Sequence, residues 1–144
     1  MPSASLDTLL TVRRKFPMST AIVTLRMLVR LTGTLLVILG IIVWAGHARG
    51  LIPVHMLLGL AFVLSLWALA LLVARAGVSS GFVALVIVWG LVVLALGMAQ
   101  TRLVPGHAHW VIQVIHLVIG IMAIGFGEQL VGRMPRAEAG AARA

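Results

Sequence analysis

Four long apolar stretches, separated by short polar segments, determine what this chain can fold into. Each stretch holds about 20 or more residues, enough for an α-helix rising 1.5 Å per residue to cross about 30 Å of hydrocarbon. They predict helices at about residues 22–46, 54–74, 81–98 and 108–131. Because the connecting segments are short, consecutive helices must run antiparallel. The sequence therefore predicts an all-α membrane protein, an up-down-up-down four-helix bundle inserted in the lipid bilayer.

The composition supports membrane insertion and excludes several other classes of protein. Of the 144 residues, 62% are hydrophobic and 10% are charged, too few charges to cover a water-facing surface. Cysteine is absent, which excludes disulfides, iron–sulfur clusters and cysteine nucleophiles. The net charge of +8 does not indicate nucleic-acid binding, because the basic residues form no stripe with interleaved aromatic residues. No Ser/His/Asp set or phosphate-binding loop supports hydrolase or nucleotide chemistry.

Basic residues predict the orientation of the bundle. Nine of the eleven fall on the side that carries both termini, and two fall on the opposite side. Because cytoplasmic ends carry an excess of Lys and Arg, both termini are predicted to be cytoplasmic, in the inner membrane of a bacterium. The nine are Arg13, Arg14, Lys15, Arg26, Arg30, Arg75, Arg133, Arg136 and Arg143, and the two are Arg49 and Arg102.

The segments outside the transmembrane domain, residues 21–132, are predicted to be tails. Residues 1–20 form a basic N-terminal tail of the kind that rests on an anionic membrane surface, with disorder expected up to about residue 18. Asp7 and the length before the first apolar core argue against a cleaved signal peptide, and Met18 is an alternative start. Residues 133–144 form a polar C-terminal tail.

All five histidines lie on the side opposite the basic termini. Counted along the helices from that basic side, His47, His55 and His116 come to similar depths, roughly 25 to 30 Å, whereas His109 reaches the interface. His55 and His116 also share a local pattern, HMLLG and HLVIG, in which a glycine follows one helical turn later. A small residue there, Gly59 or Gly120, would let a flat macrocycle approach the backbone, although glycines in membrane helices more often serve close helix packing.

Two neutral imidazoles on separate spans can supply both axial ligands of a haem iron. With His55 and His116 in these roles, the arrangement resembles membrane b-type cytochromes of the four-helix kind, such as the cytochrome b561 class. The resemblance implies one haem b near the extracytoplasmic face, electron transfer rather than catalysis, and a quinol or periplasmic redox protein as partner. The chain departs from the two-haem members of that class, because no histidine lies in its cytoplasmic half.

Other roles for the histidines remain open from the sequence. His47 is an alternative ligand, and together with His55 and His116 it would form a transition-metal site. Gln113, one turn from His116, is a candidate to orient an imidazole. Alternatively, the chain is a structural or accessory membrane subunit, a monomer or a homodimer without a cofactor, whose histidines serve helix packing or a partner interface.

Glu128 is the only acidic residue that is predicted to lie within one of the membrane spans. Arg26 and Arg30 on the first span are its candidate partners, and a structural ion pair with Arg30 is favoured over a proton-handling carboxylate, because no second buried acid is available for a relay. The four tryptophans, Trp44, Trp67, Trp89 and Trp110, are predicted to anchor the bundle at the membrane interfaces.

Overall fold

Four α-helices and one short 3-10 turn make up the described chain. The computed structural model describes residues 6–100 and 102–141, with side chains described for 20–100 and 102–134. The helices are α1 (Leu6–Trp44), α2 (Ile52–Arg75), α3 (Ser80–Ala99) and α4 (His109–Ala141), and the 3-10 turn at Arg49–Leu51 leads into α2. No strand occurs in these described ranges.

The first two helices end in the same glycine-dependent way. At the end of α2, the Gly77 amide donates to Ala74 O and the Val78 amide donates to Val73 O. This pair of bonds is the Schellman motif, and Gly77 takes the left-handed conformation it needs, with φ of +86°. Gly46, with φ of +83°, ends α1 in the same arrangement. These turns let the chain reverse direction within a few residues.

The helices form a closed bundle in chain order. α1 contacts α2 and α4, α3 contacts the same two helices, and α2 also contacts α4 across the diagonal. Short connections make neighbouring helices antiparallel, so α2 and α4 run in the same direction. The predicted all-α four-helix bundle is confirmed.

All four helices contain a segment long and apolar enough to cross a membrane. These segments are Thr20–Trp44, Arg49–Arg75, Ser80–Ala99 and His109–Met134. Large apolar side chains point outward along them, with Leu57 69% exposed and Met98 66% exposed. Exposed apolar surface on this scale requires lipid to cover it, so the chain is an integral membrane protein.

The helices of the first and last spans extend into both predicted tails. Residues 6–20 continue the helix of the first span without a break, and the helix of the last span continues to Ala141. No residue in the sequence ends the helix between tail and span, because even Pro17 and Pro135 lie within helical backbone. Residues 1–5 and 142–144, and the side chains of the basic cluster at residues 13–15, lie outside the described part.

Buried side chains concentrate in one half of the bundle. In the half that contains Ile22, Val73 and Leu130, burial extends close to the helix ends, and α2 alone contributes a continuous buried face. In the other half, which contains all five histidines, the described residues include two buried apolar side chains beyond the level of Phe62 and Val63, namely Val93 and Ile112. The buried core of the described residues is therefore concentrated toward the arginine-rich end.

Candidate functional site

His55 and His116 lie on the diagonal pair of helices, near the same end of the bundle. His55 is the fourth residue of α2 and His116 is the eighth residue of α4, and both side chains are partly buried. The His55 ring lies against Gly40 of α1 and the His116 ring lies against Gly97 of α3. The two histidines singled out in the sequence therefore both face other helices of the bundle, near the same end.

Neither imidazole makes a hydrogen bond with the described residues. The Nδ1 atoms of both rings are buried and have no hydrogen-bond partner among them. A neutral imidazole carries one N–H donor and one acceptor nitrogen, and leaving such groups buried without partners costs free energy. Hydrogen bonding between helices is therefore not the role these rings have in the described structure, and their polar atoms require partners from outside it.

Glycines of the neighbouring helices contact the two rings. A Cβ atom added at Gly40 of α1 would lie 3.4 Å from His55 Cε1, and one added at Gly97 of α3 would lie 3.2 Å from His116 Cε1. Each ring therefore occupies space left by a glycine on the preceding helix. The signal in the sequence was the spacing of Gly40 from Gly33 and of Gly97 from Gly90, seven residues in each pair.

The two glycines predicted to border a macrocycle, Gly59 and Gly120, have little or nothing packed against them in the described structure. A Cβ at Gly59 would meet only Leu36 Cδ2, at 3.9 Å, and a Cβ at Gly120 would meet nothing within 4 Å. Neither glycine is required for contact between helices in the described structure. Space for a side-chain-sized group exists beside Gly120.

The remaining predicted site residues do not join the pair. His47 and His107 are exposed in the loops, and His109 begins α4. Among the described residues, no group of three or more His, Asp or Glu side chains is arranged to hold a metal ion, so the three-histidine set with His47 is not assembled. Gln113 is partly buried and forms no hydrogen bond with either imidazole.

Two of the tryptophans have a different role from the one predicted. Trp67 Nε1 donates to Ile87 O at 3.1 Å, and Trp89 Nε1 donates to Ile119 O at 3.0 Å. These bonds join α2 to α3 and α3 to α4, so the prediction of interfacial anchoring is wrong for these two residues. Trp44 and Trp110, which are 41% and 55% exposed at the histidine end, are placed as membrane-interface anchors would be.

Glu128 joins α4 to α1 at the opposite end of the bundle. Its carboxylate accepts hydrogen bonds from both Arg26 and Arg30, with closest distances of 2.5 and 2.6 Å. These bonds link residues about a hundred positions apart in the sequence and close the bundle between its first and last helices. The carboxylate lies in the half without histidines, so it does not face the imidazoles.

No protein-family model, curated protein or solved structure matches this chain. The fold and the placement of the side chains therefore carry the functional argument.

Proposed function

We propose that the protein is a membrane b-type cytochrome that binds one haem b between His55 and His116 and transfers electrons near the histidine end of the bundle. The observation that carries the proposal is a pair of inward-facing imidazoles at the same end of the contacting helices α2 and α4, each with a buried Nδ1 atom that has no hydrogen-bond partner in the described chain. Two such imidazoles on separate helices match the ligand requirement of a six-coordinate haem iron.

The residues around His55 and His116 are compatible with a bound haem. No carboxylate or thiolate competes for the iron, because cysteine is absent and Glu128 lies at the other end. Fewer side chains of the described residues are buried at the histidine end than at the arginine end, and those that are buried there are apolar. Haem sites in helical bundles are built in this manner, from side chains of facing helices within an apolar core.

The chain's own residues have three tasks in this proposal. His55 and His116 hold the iron. Gly97 limits where the His116 ring can lie, because a Cβ there would come within 3.2 Å of Cε1, whereas a Cβ at Gly40 would make ordinary contact with the His55 ring at 3.4 Å. The apolar helices keep water from the site, which raises the cost of net charge there and so influences the reduction potential. A bound haem supplies one-electron redox chemistry.

The direct test is an absorption spectrum of the purified chain. The protein is expressed with a haem precursor in the medium, extracted in mild detergent and examined in oxidised and reduced forms. The expected result is a sharp Soret band and a reduced α band, with one haem per chain by pyridine haemochromogen assay. His55→Ala and His116→Ala should each abolish these bands.

Two exposed histidines at the same end provide matched controls. His47→Ala and His107→Ala remove the same side chain without touching the interior, so both variants should retain the bands. Far-UV circular dichroism checks that every variant is folded. A wild-type protein that is colourless and takes up no added haemin would refute the proposal, as would full haem content in both interior variants.

The proposal includes an orientation and a class of partner. Among the residues whose side chains are described, four arginines lie at the terminal end of the bundle (Arg26, Arg30, Arg75, Arg133) and two lie at the histidine end (Arg49, Arg102), which supports cytoplasmic termini in a bacterial inner membrane. The haem would then exchange electrons with a quinol or a periplasmic redox protein.

Because the chain has no cysteine, Ser79→Cys and Ala108→Cys test the orientation. An impermeant maleimide added to intact cells should label the second variant alone.

A structural role for the imidazoles is the second candidate, and their contact with glycines of neighbouring helices favours it. In that case the chain would be a cofactor-free accessory subunit, and the rings would act only by filling space. His116→Ala would then lower bundle stability while the wild-type protein showed no haem bands. The spectrum and the stability measurement together separate the two functions.

A further inference from the structure

The ion-pair cluster at the arginine end has more positive than negative charge. Glu128 supplies one carboxylate, and Arg26 and Arg30 supply two guanidinium groups. Arg30 donates from Nε to Oε1 and from Nη2 to Oε2, at 2.6 and 2.8 Å. Arg26 donates from Nη2 and Nε to Oε2, at 2.5 and 3.1 Å. One positive charge is left without a counter-charge in this cluster.

The hydrogen-bond geometry leaves defined donors free. Both carboxylate oxygens are occupied, whereas the Nη1 group of each arginine makes no hydrogen bond to a described residue. Because Glu128 takes the Nε and Nη2 side of each guanidinium, the carboxylate holds the planar groups in position and leaves their other edge available. Such an edge suits the bidentate geometry of a phosphate.

The cluster lies at the depth of lipid headgroups. Trp44 marks the end of the first span at the histidine side, and about 30 Å of hydrocarbon corresponds to roughly 20 residues of helix. Counting back from Trp44 places Arg26 at the opposite boundary and Arg30 one turn inside it. Helical side chains lean toward the N-terminus, so the Arg30 guanidinium lies closer to the headgroups than its own Cα does.

A shallow, open apolar groove lies on the outer face of α1 beside this cluster. Residues of this one helix line it from Val23 to Thr34, and Arg30 is among them. Its apolar walls are exposed, with Met27 53% and Leu31 60% accessible. From Arg26, at the hydrocarbon boundary, to Thr34 the helix rises about 12 Å, so the groove borders the upper part of an acyl chain in one leaflet.

We propose that the Arg26–Arg30–Glu128 cluster and the α1 groove form a binding site for one anionic phospholipid. The phosphate accepts hydrogen bonds from the free guanidinium edges, and one acyl chain lies along the groove. The lipid's negative charge balances the excess positive charge of the cluster, which distinguishes this site from the other lipid-facing surfaces of the bundle. The site is independent of the histidines and of any haem.

The test measures which lipid contacts α1. Because the chain contains no cysteine, Leu31→Cys places a single fluorophore in the groove. Leu64→Cys is the matched control on α2, since Leu64 is 52% exposed and lies eleven residues from the arginine-side end of its span, as Leu31 does. Each labelled protein is reconstituted in phosphatidylcholine vesicles that contain brominated phosphatidylglycerol or brominated phosphatidylcholine at equal fraction, and quenching is compared.

We expect phosphatidylglycerol to be enriched about five-fold at Leu31, the factor that one unpaired basic charge at a membrane surface provides. No enrichment should occur at Leu64. In the Leu31→Cys background, Arg30→Gln should reduce the enrichment toward one, whereas Arg30→Lys should retain most of it. Arg30→Gln leaves the Arg26–Glu128 ion pair in place, and unchanged quenching in the Leu64→Cys background confirms that the bundle is intact.

Three results would overturn the proposal. Equal quenching by the two lipids at Leu31 would mean that the groove takes lipid without regard to charge. Protection of the Leu31 probe from both lipids, together with a dimer-sized particle in detergent, would mean that a second copy of the chain covers α1. Enrichment that persists in Arg30→Gln would equally place the anionic lipid elsewhere.

Discussion

Replacing Gly90 by alanine should destabilise the bundle, because a Trp67 ring occupies the space that the new methyl group needs. A Cβ at Gly90 would lie 2.5 Å from Trp67 Nε1 and 3.1 Å from Val63 Cγ1. Ordinary contacts of this kind are close to 3.5–4 Å, so the indole or the helix must move by about 1 Å. The indole has little freedom to do so while it donates to Ile87 O at 3.1 Å.

The size of the effect follows from three contributions. Overpacking of a well-packed interior costs typically 1–3 kcal/mol. Loss of an interhelical hydrogen bond in a membrane protein costs about 0.6 kcal/mol. Alanine restores about 1 kcal/mol through its better helix propensity, a value measured in water. The expected result is a decrease of about 2 kcal/mol in the free energy of unfolding.

The assay is reversible unfolding in mixed micelles of a mild detergent and dodecyl sulfate, followed by far-UV circular dichroism. Gly120→Ala is the matched control, since a Cβ there meets nothing within 4 Å, and it should leave stability unchanged or slightly raised. A double-mutant cycle with Trp67→Phe isolates the contact. If Gly90→Ala costs as much in the Trp67→Phe background as in the wild type, the steric argument is refuted.

Three further predictions concern other contacts. Gly97→Ala should displace the His116 ring by a few tenths of an ångström. If the proposed haem is bound, this variant should shift the α band or lower haem retention relative to Gly120→Ala, and an unchanged spectrum would contradict the contact. Glu128→Gln should lower the midpoint of thermal unfolding in detergent, because two like charges then face each other without a carboxylate between them. Trp89→Phe should lower the free energy of unfolding by about 0.6 kcal/mol, since it removes one interhelical hydrogen bond and keeps an aromatic ring; a change above about 2 kcal/mol would show that more than this bond is lost.

Much of the fold follows from local sequence properties. An apolar stretch of about 20 residues in lipid has one stable conformation, the helix, since every backbone group must be hydrogen-bonded within it. Glycines such as Gly46 and Gly77 then mark where helices end, because they adopt positive φ without steric cost. Short connections determine that neighbours are antiparallel. None of these steps requires knowledge of how the helices rotate or pack.

The candidate site could be predicted only in part. The depth count brought His55 and His116 to the same end, and in the structure they lie near the start of α2 and of α4, against Gly40 and Gly97 of the neighbouring helices. The choice of Gly59 and Gly120 as the neighbouring small residues did not match the contacts, since Gly40 and Gly97 touch the rings. The position of a residue along its own helix indicates its face and its depth. Which residue of the neighbouring helix it contacts depends on how that second helix is rotated.

By itself, the sequence determined the number of helices, their approximate depth, the end of the bundle that carries the histidines and the residues available to pair with Glu128. These properties depend on hydrophobicity, charge and chain length, which act locally. Only the tertiary structure decided that Trp67 and Trp89 join helices, that both Arg26 and Arg30 bind Glu128, and that the buried core is concentrated toward the arginine end. Those features arise from the rotation and spacing of four helices, which all their side chains set together.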